Sequence, residues 1–179
     1  QRTKVLIDNY GDNVIDRAEI YTLDANGYRT KTEIDVGNDG SINSNTTYVR
    51  NELGRITKEL IDTDNNGTPE IIRTYERDVY GNAIYRGDDT NTDGVANSAY
   101  YYTYNSLGLA ETLVYDRTGN GITDDDLRRS FEYDEQGRES IRTDQTNINS
   151  TPVKVYNEYD NNNLVIKRSS DGDGDGNLF

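Results

Sequence analysis

Cysteine and histidine are both absent from the 179 residues. Without cysteine no disulfide braces the fold. Without histidine, Cys/His zinc sites, Ser-His and Cys-His nucleophile pairs and a neutral-pH histidine switch are excluded. Apolar residues are scarce too. Only 32% of the chain is hydrophobic, and no apolar run approaches the roughly 18 residues of a membrane span. Basic residues are outnumbered, 19 Lys and Arg against 33 Asp and Glu, for a formal net charge of -14 and a pI near 4.3. That balance disfavours nucleic acid and anionic membranes as partners, because phosphate binding needs basic residues. Such a composition resembles that of disordered acidic segments, but 15 Tyr argue for order. Something must then compensate for the missing apolar surface. Asp, Glu and Asn, the oxygen ligands of hard cations, are what the chain has in quantity.

A repeat organises these residues. Gly27, Gly54, Gly81 and Gly108 recur at an interval of 27, and Gly137 and Asn163 follow at 29 and 26. Each lies three residues after an Asp or Asn: Asp24, Asn51, Asp78, Asn105, Asp134 and Asp160. An Asp or Asn opening a type I turn hydrogen-bonds its own backbone, and the glycine at the fourth position takes a positive φ. The expected result is a tight hairpin turn with a bulge, and Asn163 is the residue type that best tolerates the same conformation. Three residues ahead of the turns stand Tyr21, Tyr48, Tyr75, Tyr102 and Phe131, with Asn157 breaking the column. These aromatics are expected to pack as a ladder and to form the core.

A second column reads Asp8, Asp35, Asp62, Asp89, Asp116, Asp144 and Asp171. Counting each Asp as position one, the third loop offers Asp62, Asp64, Asn66 and Glu70 at one, three, five and nine, with Gly67 at six. The fourth offers Asp89, Asn91, Asp93 and Asn97 around Gly94. The second offers Asp35, Asp39 and Asn43, and the fifth Asp116, Thr118, Asn120 and Asp124. The first has Asp8, Asp12 and Asp16, and the last begins Asp171, Asp173, Asp175. Alternate oxygens let a tightly curved loop aim every second side chain at one point, and a glycine at six permits the sharp turn. Ca²⁺ accepts six to eight oxygens in flexible geometry, whereas Mg²⁺ prefers a stricter octahedron. About five to six Ca²⁺ sites are expected. The Asp144 loop, with Ile148 at five and Pro152 at nine, is expected to be weak or empty.

The nine-residue frame resembles the D-x-D-x-D-G-x-x-D calcium loops of integrin-type propeller repeats, and its D-x-[DN]-x-[DN]-G register is similar to that of thrombospondin type-3 and dockerin loops. The segments F-E-Y-D-E-Q-G-R (131–138), Y-T-Y-N-S-L-G-L (102–109) and Y-V-R-N-E-L-G-R (48–55) resemble the YD repeats of the RHS family, β-hairpin repeats of large bacterial surface and toxin proteins. The tyrosine preceding the Asp or Asn is present as Tyr104, Tyr133 and Tyr159. This resemblance implies extended or spiral β-sheet shells and surface fibres rather than catalysis, with an extracellular or cell-surface location.

Two strands per 27 residues give the expected architecture. It is all-β, a single array over residues 1–179 of about six two-strand units, partial at both ends. It forms an elongated antiparallel meander or β-superhelix with calcium loops along one edge. Expected strands include Arg55–Ile61, Ile71–Arg77, Ser98–Tyr104 and Leu109–Tyr115, and 124–129 is the one candidate helix. The expected role is a calcium-stabilised stalk, fibre or matrix segment of a large extracellular bacterial protein. Its partners are other repeats or neighbouring subunits packed head to tail. The alternative is an adhesin or glycan-binding module, or an RHS-like shell. No catalytic residues are assigned. The one irregular cluster, Asp124, Asp125 and Asp126 beside Arg128 and Arg129, reads as a solvated insertion.

Overall fold

A computed structural model describes residues 1–172 of the chain. It is all-β, with thirteen strands of an antiparallel sheet in which strand order follows chain order. They are β1 (Arg2–Ile7), β2 (Arg17–Leu23), β3 (Arg29–Val36), β4 (Ser44–Arg50), β5 (Ile56–Asp62), β6 (Ile71–Arg77), β7 (Ala83–Asp89), β8 (Ser98–Tyr104), β9 (Ala110–Asp116), β10 (Leu127–Tyr133), β11 (Glu139–Gln145), β12 (Val153–Tyr159) and β13 (Val165–Asp171). The chain divides into two compact units, Gln1–Glu76 with Gly87–Ala96, and Arg77–Arg86 with Asn97–Phe179. There is no helix among the described residues, and the segment 124–129 runs from a turn into β10.

The turns form as their residue types dictate. In the first, the Gly27 N–H donates to the Asp24 carbonyl, the Asp24 N–H donates to the Tyr28 carbonyl, and Asp24 Oδ1 accepts the N–H groups of Asn26 and Tyr28. Gly27 takes φ +82°, and Asn163, in the last turn, takes +64°. Register shifts at Thr22/Leu23, Val49/Arg50, Thr103/Tyr104, Glu132/Tyr133 and Glu158/Tyr159 mark the bulges. Every long loop therefore joins an odd strand to the next even one, and every tight turn an even strand to the next odd one. From a turn glycine (or Asn163) to the first residue of the following loop the distance is always eight residues: Gly27 to Asp35, Gly54 to Asp62, Gly81 to Asp89, Gly108 to Asp116, Gly137 to Gln145, Asn163 to Asp171. All variation in repeat length falls in the long loops.

The interior is small. In the first unit Ala18 and Ile20 are buried, beside Thr32, Asp35, Asp62 and Asp89. In the second, Ala99, Val114 and Val155 are buried with Asp116, Asp126, Asn157, Ser169 and Asp171. The aromatic column is not this core: Tyr21, Tyr48, Tyr75, Tyr102 and Phe131 are all half-buried. The reason is spacing. Column members sit on alternate strands, about 10 Å apart, beyond the 4.5–7 Å of a ring pair. Each instead faces a different residue on the adjoining strand: Tyr21 faces Thr32, Tyr48 faces Glu59, Tyr102 faces Leu113 and Phe131 faces Arg142. Direct ring contacts involve tyrosines outside the column, Tyr100 with Tyr115 at 4.5 Å, Tyr85 with Tyr101 at 5.3 Å, and Tyr100 with the column's Tyr102 at 6.4 Å. Charged rungs cross the strands, with Arg73 bridging Glu59 and Asp88.

Where a tyrosine precedes the turn Asp or Asn, it has a defined task. The hydroxyls of Tyr104, Tyr133 and Tyr159 donate to the carbonyls of Ala83, Ala110 and Glu139, each two residues beyond the preceding turn glycine. In the first unit Arg50 holds the same place and donates to the Arg29 carbonyl at 3.0 Å. Four hairpins are thus each tied at the turn end to the preceding hairpin by a single side chain.

Candidate functional site

Each regular loop begins with an acid that organises its backbone. Asp35 accepts the N–H groups of Asp39 and Gly40, at 3.0 and 3.1 Å. Asp62 accepts those of Asn66 and Gly67, at 3.1 and 2.9 Å. Asp116 accepts those of Thr118, Gly119 and Gly121, and Asp8 those of Tyr10, Gly11 and Asn13. Asp35, Asp62, Asp89, Asp116 and Asp171 are buried. The last four end their strands, so β5 and β9 each run one residue further than their sequence patterns indicate.

Two further tiers repeat. The position-five side chain accepts the position-seven N–H, in Asp12 from Val14, Asp39 from Ser41, Asn66 from Thr68 and Asp93 from Val95. The position-nine side chain accepts the position-two N–H, in Asp16 from Asn9, Asn43 from Val36 and Glu70 from Thr63, all at 2.6–2.7 Å. Its own N–H closes the loop on the strand before it, as Glu70 does on the Ile61 carbonyl. Asn97 holds the equivalent place, immediately before β8. A carboxylate has about four acceptor sites, so one or two backbone bonds leave room for a cation.

The third loop gathers most charge. Among the described residues, Asp62, Asp64 and Glu70 are the one group of three acids whose oxygens lie within 4.8 Å of one another. Burial pushes the Asp62 carboxyl up, but the Gly67 N–H, the Asn45 amide and the N–H groups of Asn66 and Asn65 outweigh it and hold it below its ordinary value. The Thr63 N–H and hydroxyl do the same for Glu70. In Asp8, burial is outweighed by the N–H groups of Gly11, Asn13, Tyr10 and Asp12. These acids are therefore ionised at neutral pH.

The remaining candidate ligands are placed less evenly. In the fifth loop the Thr118 hydroxyl points at Asp116 Oδ1, Asn120 and Asp124 are exposed, and the residue immediately before the next strand is the buried Asp126, which accepts the Thr123 N–H. Asp173 and Asp175 lie outside the described residues. Asp144 faces away from the loop column: its carboxylate pairs with Arg129 and Arg142. Gln145 occupies the loop-opening place and donates to the carbonyls of Ile148 and Ser150.

One requirement is not obvious from residue type. Position four takes a left-handed conformation in every regular loop, at Gly11, Asn38, Asn65, Thr92 and Gly119. The recurrence of these five at an interval of 27 was the available signal. Fold and loops together define a tandem array of two-strand β-repeats with acid-organised loops. No protein-family model matches the chain, and no curated protein matches it in sequence.

Proposed function

We propose that the chain is a calcium-stabilised structural repeat segment of a large extracellular or cell-surface bacterial protein, acting as part of a stalk, fibre or matrix filament. Other repeats or neighbouring subunits are its partners. The observation that carries this reading is the third loop, where the oxygens of three acids converge in a molecule with very little apolar interior. Ca²⁺ is the cation this hard, all-oxygen ligand set would select. Equivalent loops two strands apart are about 10 Å from one another, where two divalent ions repel by about 1.7 kcal/mol in bulk-water dielectric, a penalty the intervening carboxylates offset. Ions in five loops would reduce the formal charge from -14 to -4.

Extracellular calcium modules bind at about 10⁻⁴–10⁻³ M, and each site adds roughly 1.4 kcal/mol per tenfold excess over its Kd. Five sites thus contribute on the order of 7 kcal/mol, comparable with the whole stability of a small domain. Circular dichroism melts in millimolar CaCl₂ and in EGTA test the reading. A clearly higher melting temperature with calcium is expected; identical spectra and melts would refute it.

One observation favours a second reading, a glycan-binding surface. Tyr80 is 85% exposed, at the mouth of a cleft of about 430 Å³ lined also by Asp78, Asn82, Tyr104, Asn105 and Leu107. An aromatic ring beside amides suits a sugar. Retained binding on a glycan array that Tyr80→Ala abolishes would support this reading over the purely structural one.

A further inference from the structure

The long loops are not equivalent. In the Asp8, Asp35, Asp62 and Asp116 loops, both oxygens of the first acid accept backbone N–H groups. These loops satisfy their own polar groups. The Asp89 loop does not. Asp89 is 5% exposed. Its Oδ2 accepts the Gly94 N–H at 2.9 Å, which turns the carboxyl into the loop, while its Oδ1 is buried with no hydrogen-bond partner.

The cause is visible one residue earlier. In the Asp35 and Asp62 loops the position-five N–H caps Oδ1 of the first acid. In this loop that N–H, on Asp93, donates instead to Asn91 Oδ1 at 3.3 Å. Position four is Thr92, a β-branched residue at φ +58°, where the other loops carry Gly or Asn. An uncompensated buried carboxylate oxygen and a strained backbone both cost free energy. They persist where something else over-determines the conformation, and a buried unsatisfied oxygen calls for a specific explanation such as a bound ion.

We infer that the Asp89 loop is the obligatory cation site of the array: Ca²⁺ binds here first and most tightly, on Asp89 Oδ1 with the side chains of Asn91 and Asp93, while the other loops hold their shape without it. Asp93 Oδ1 is engaged by the Val95 N–H at 2.8 Å and its Oδ2 by the Asn91 amide at 3.0 Å. Only the second bond, made between two ligand side chains, has to yield to an ion. A single trapped water would fill the same gap without calcium, and the titration separates the two. The inference rests on the calcium reading above, but it assigns the dependence to the loop that carries two carboxylates rather than to the more acidic Asp62 loop.

The test is a ¹H–¹⁵N NMR titration of the whole chain with CaCl₂. The amides of Gly40, Gly67, Gly94 and Gly121 each donate to the first acid of their own loop, so each reports one loop. Gly94 is expected to shift at the lowest calcium concentration. Asp93→Asn keeps the Val95 cap but removes ligand charge, and should move the Gly94 response about tenfold or more higher in calcium, leaving Gly67 unchanged. Asp89→Asn should abolish the response and, if it still folds, leave the others. If Gly67 or another glycine shifts first and Gly94 shifts last or not at all, the inference fails and the calcium reading survives. If none shifts up to about 10 mM calcium, above the range of extracellular modules, both fail.

Discussion

At the scale of single residues, one displacement of side-chain direction decides whether an acid belongs to a loop or to the sheet. Asp144 continues the acidic column with an interval of 28 instead of 27. In a strand a one-residue offset turns a side chain to the opposite face. Asp144 accordingly meets Arg129 and Arg142, and Gln145 caps the loop. The low ligand content of that loop is legible in Ile148 and Pro152, and the offset shows in the distance from Gly137, seven residues to Asp144 where the other loops have eight. Thr92 is the residue-scale test of backbone fitness. Asn tolerates its left-handed conformation and Thr does not, so Thr92→Asn should stabilise the protein by about 1 kcal/mol, measured by urea denaturation in EGTA. A destabilised variant would mean that the threonine side chain contributes more than its strain costs.

At the scale of elements, hairpins and strands were readable almost to the residue. β6 and β8 coincide with the segments 71–77 and 98–104 expected from composition, because turn glycines and loop acids bracket them. The sequence was less informative about what joins one hairpin to the next. Tyr104, Tyr133 and Tyr159 stood out as a pattern before they had a role; the structure makes each a donor to the backbone of the preceding hairpin. Arg50 performs the same task with different chemistry, which is why the column looked degenerate. Removing the Tyr133 hydroxyl, in Tyr133→Phe, should cost about 1 kcal/mol by leaving the Ala110 carbonyl without its side-chain donor. Tyr10→Phe, at a residue 82% exposed, should change the urea midpoint little. Equal effects in the two variants would show that the stitch contributes nothing. The aromatic column misled as to the core because its period, 27 residues, spans two strands rather than one.

At the scale of the whole molecule, stability is carried by many polar contacts and little apolar interior, so it should depend strongly on pH. In Asp78 and Asp134, burial is outweighed by hydrogen bonds, chiefly from Asn82 and Arg138 respectively, and both carboxyls sit below the ordinary 3.8. Asp8, Asp62 and Glu70 are lowered as well. A depressed folded-state value contributes stability that is present above the unfolded value and lost as pH falls through the folded one. Tyr104 and Tyr133 are raised above 10.0, mainly by burial, so their contribution is present below 10.0 and lost as pH rises past it. The urea midpoint should therefore be flat from about pH 5 to pH 9 and fall on both sides. A midpoint unchanged at pH 3 would contradict the hydrogen-bonded acids described above.

The constant eight-residue distance from each turn glycine or Asn163 to the next loop acts as a ruler, and the long loops act as expansion joints. Repeats of 26, 27 and 29 residues share one strand geometry because each length change is absorbed beyond the ruled segment. The chain can therefore gain or lose residues at the loop edge, and exchange one ligand set for another, without disturbing the hydrogen-bonded ladder behind it.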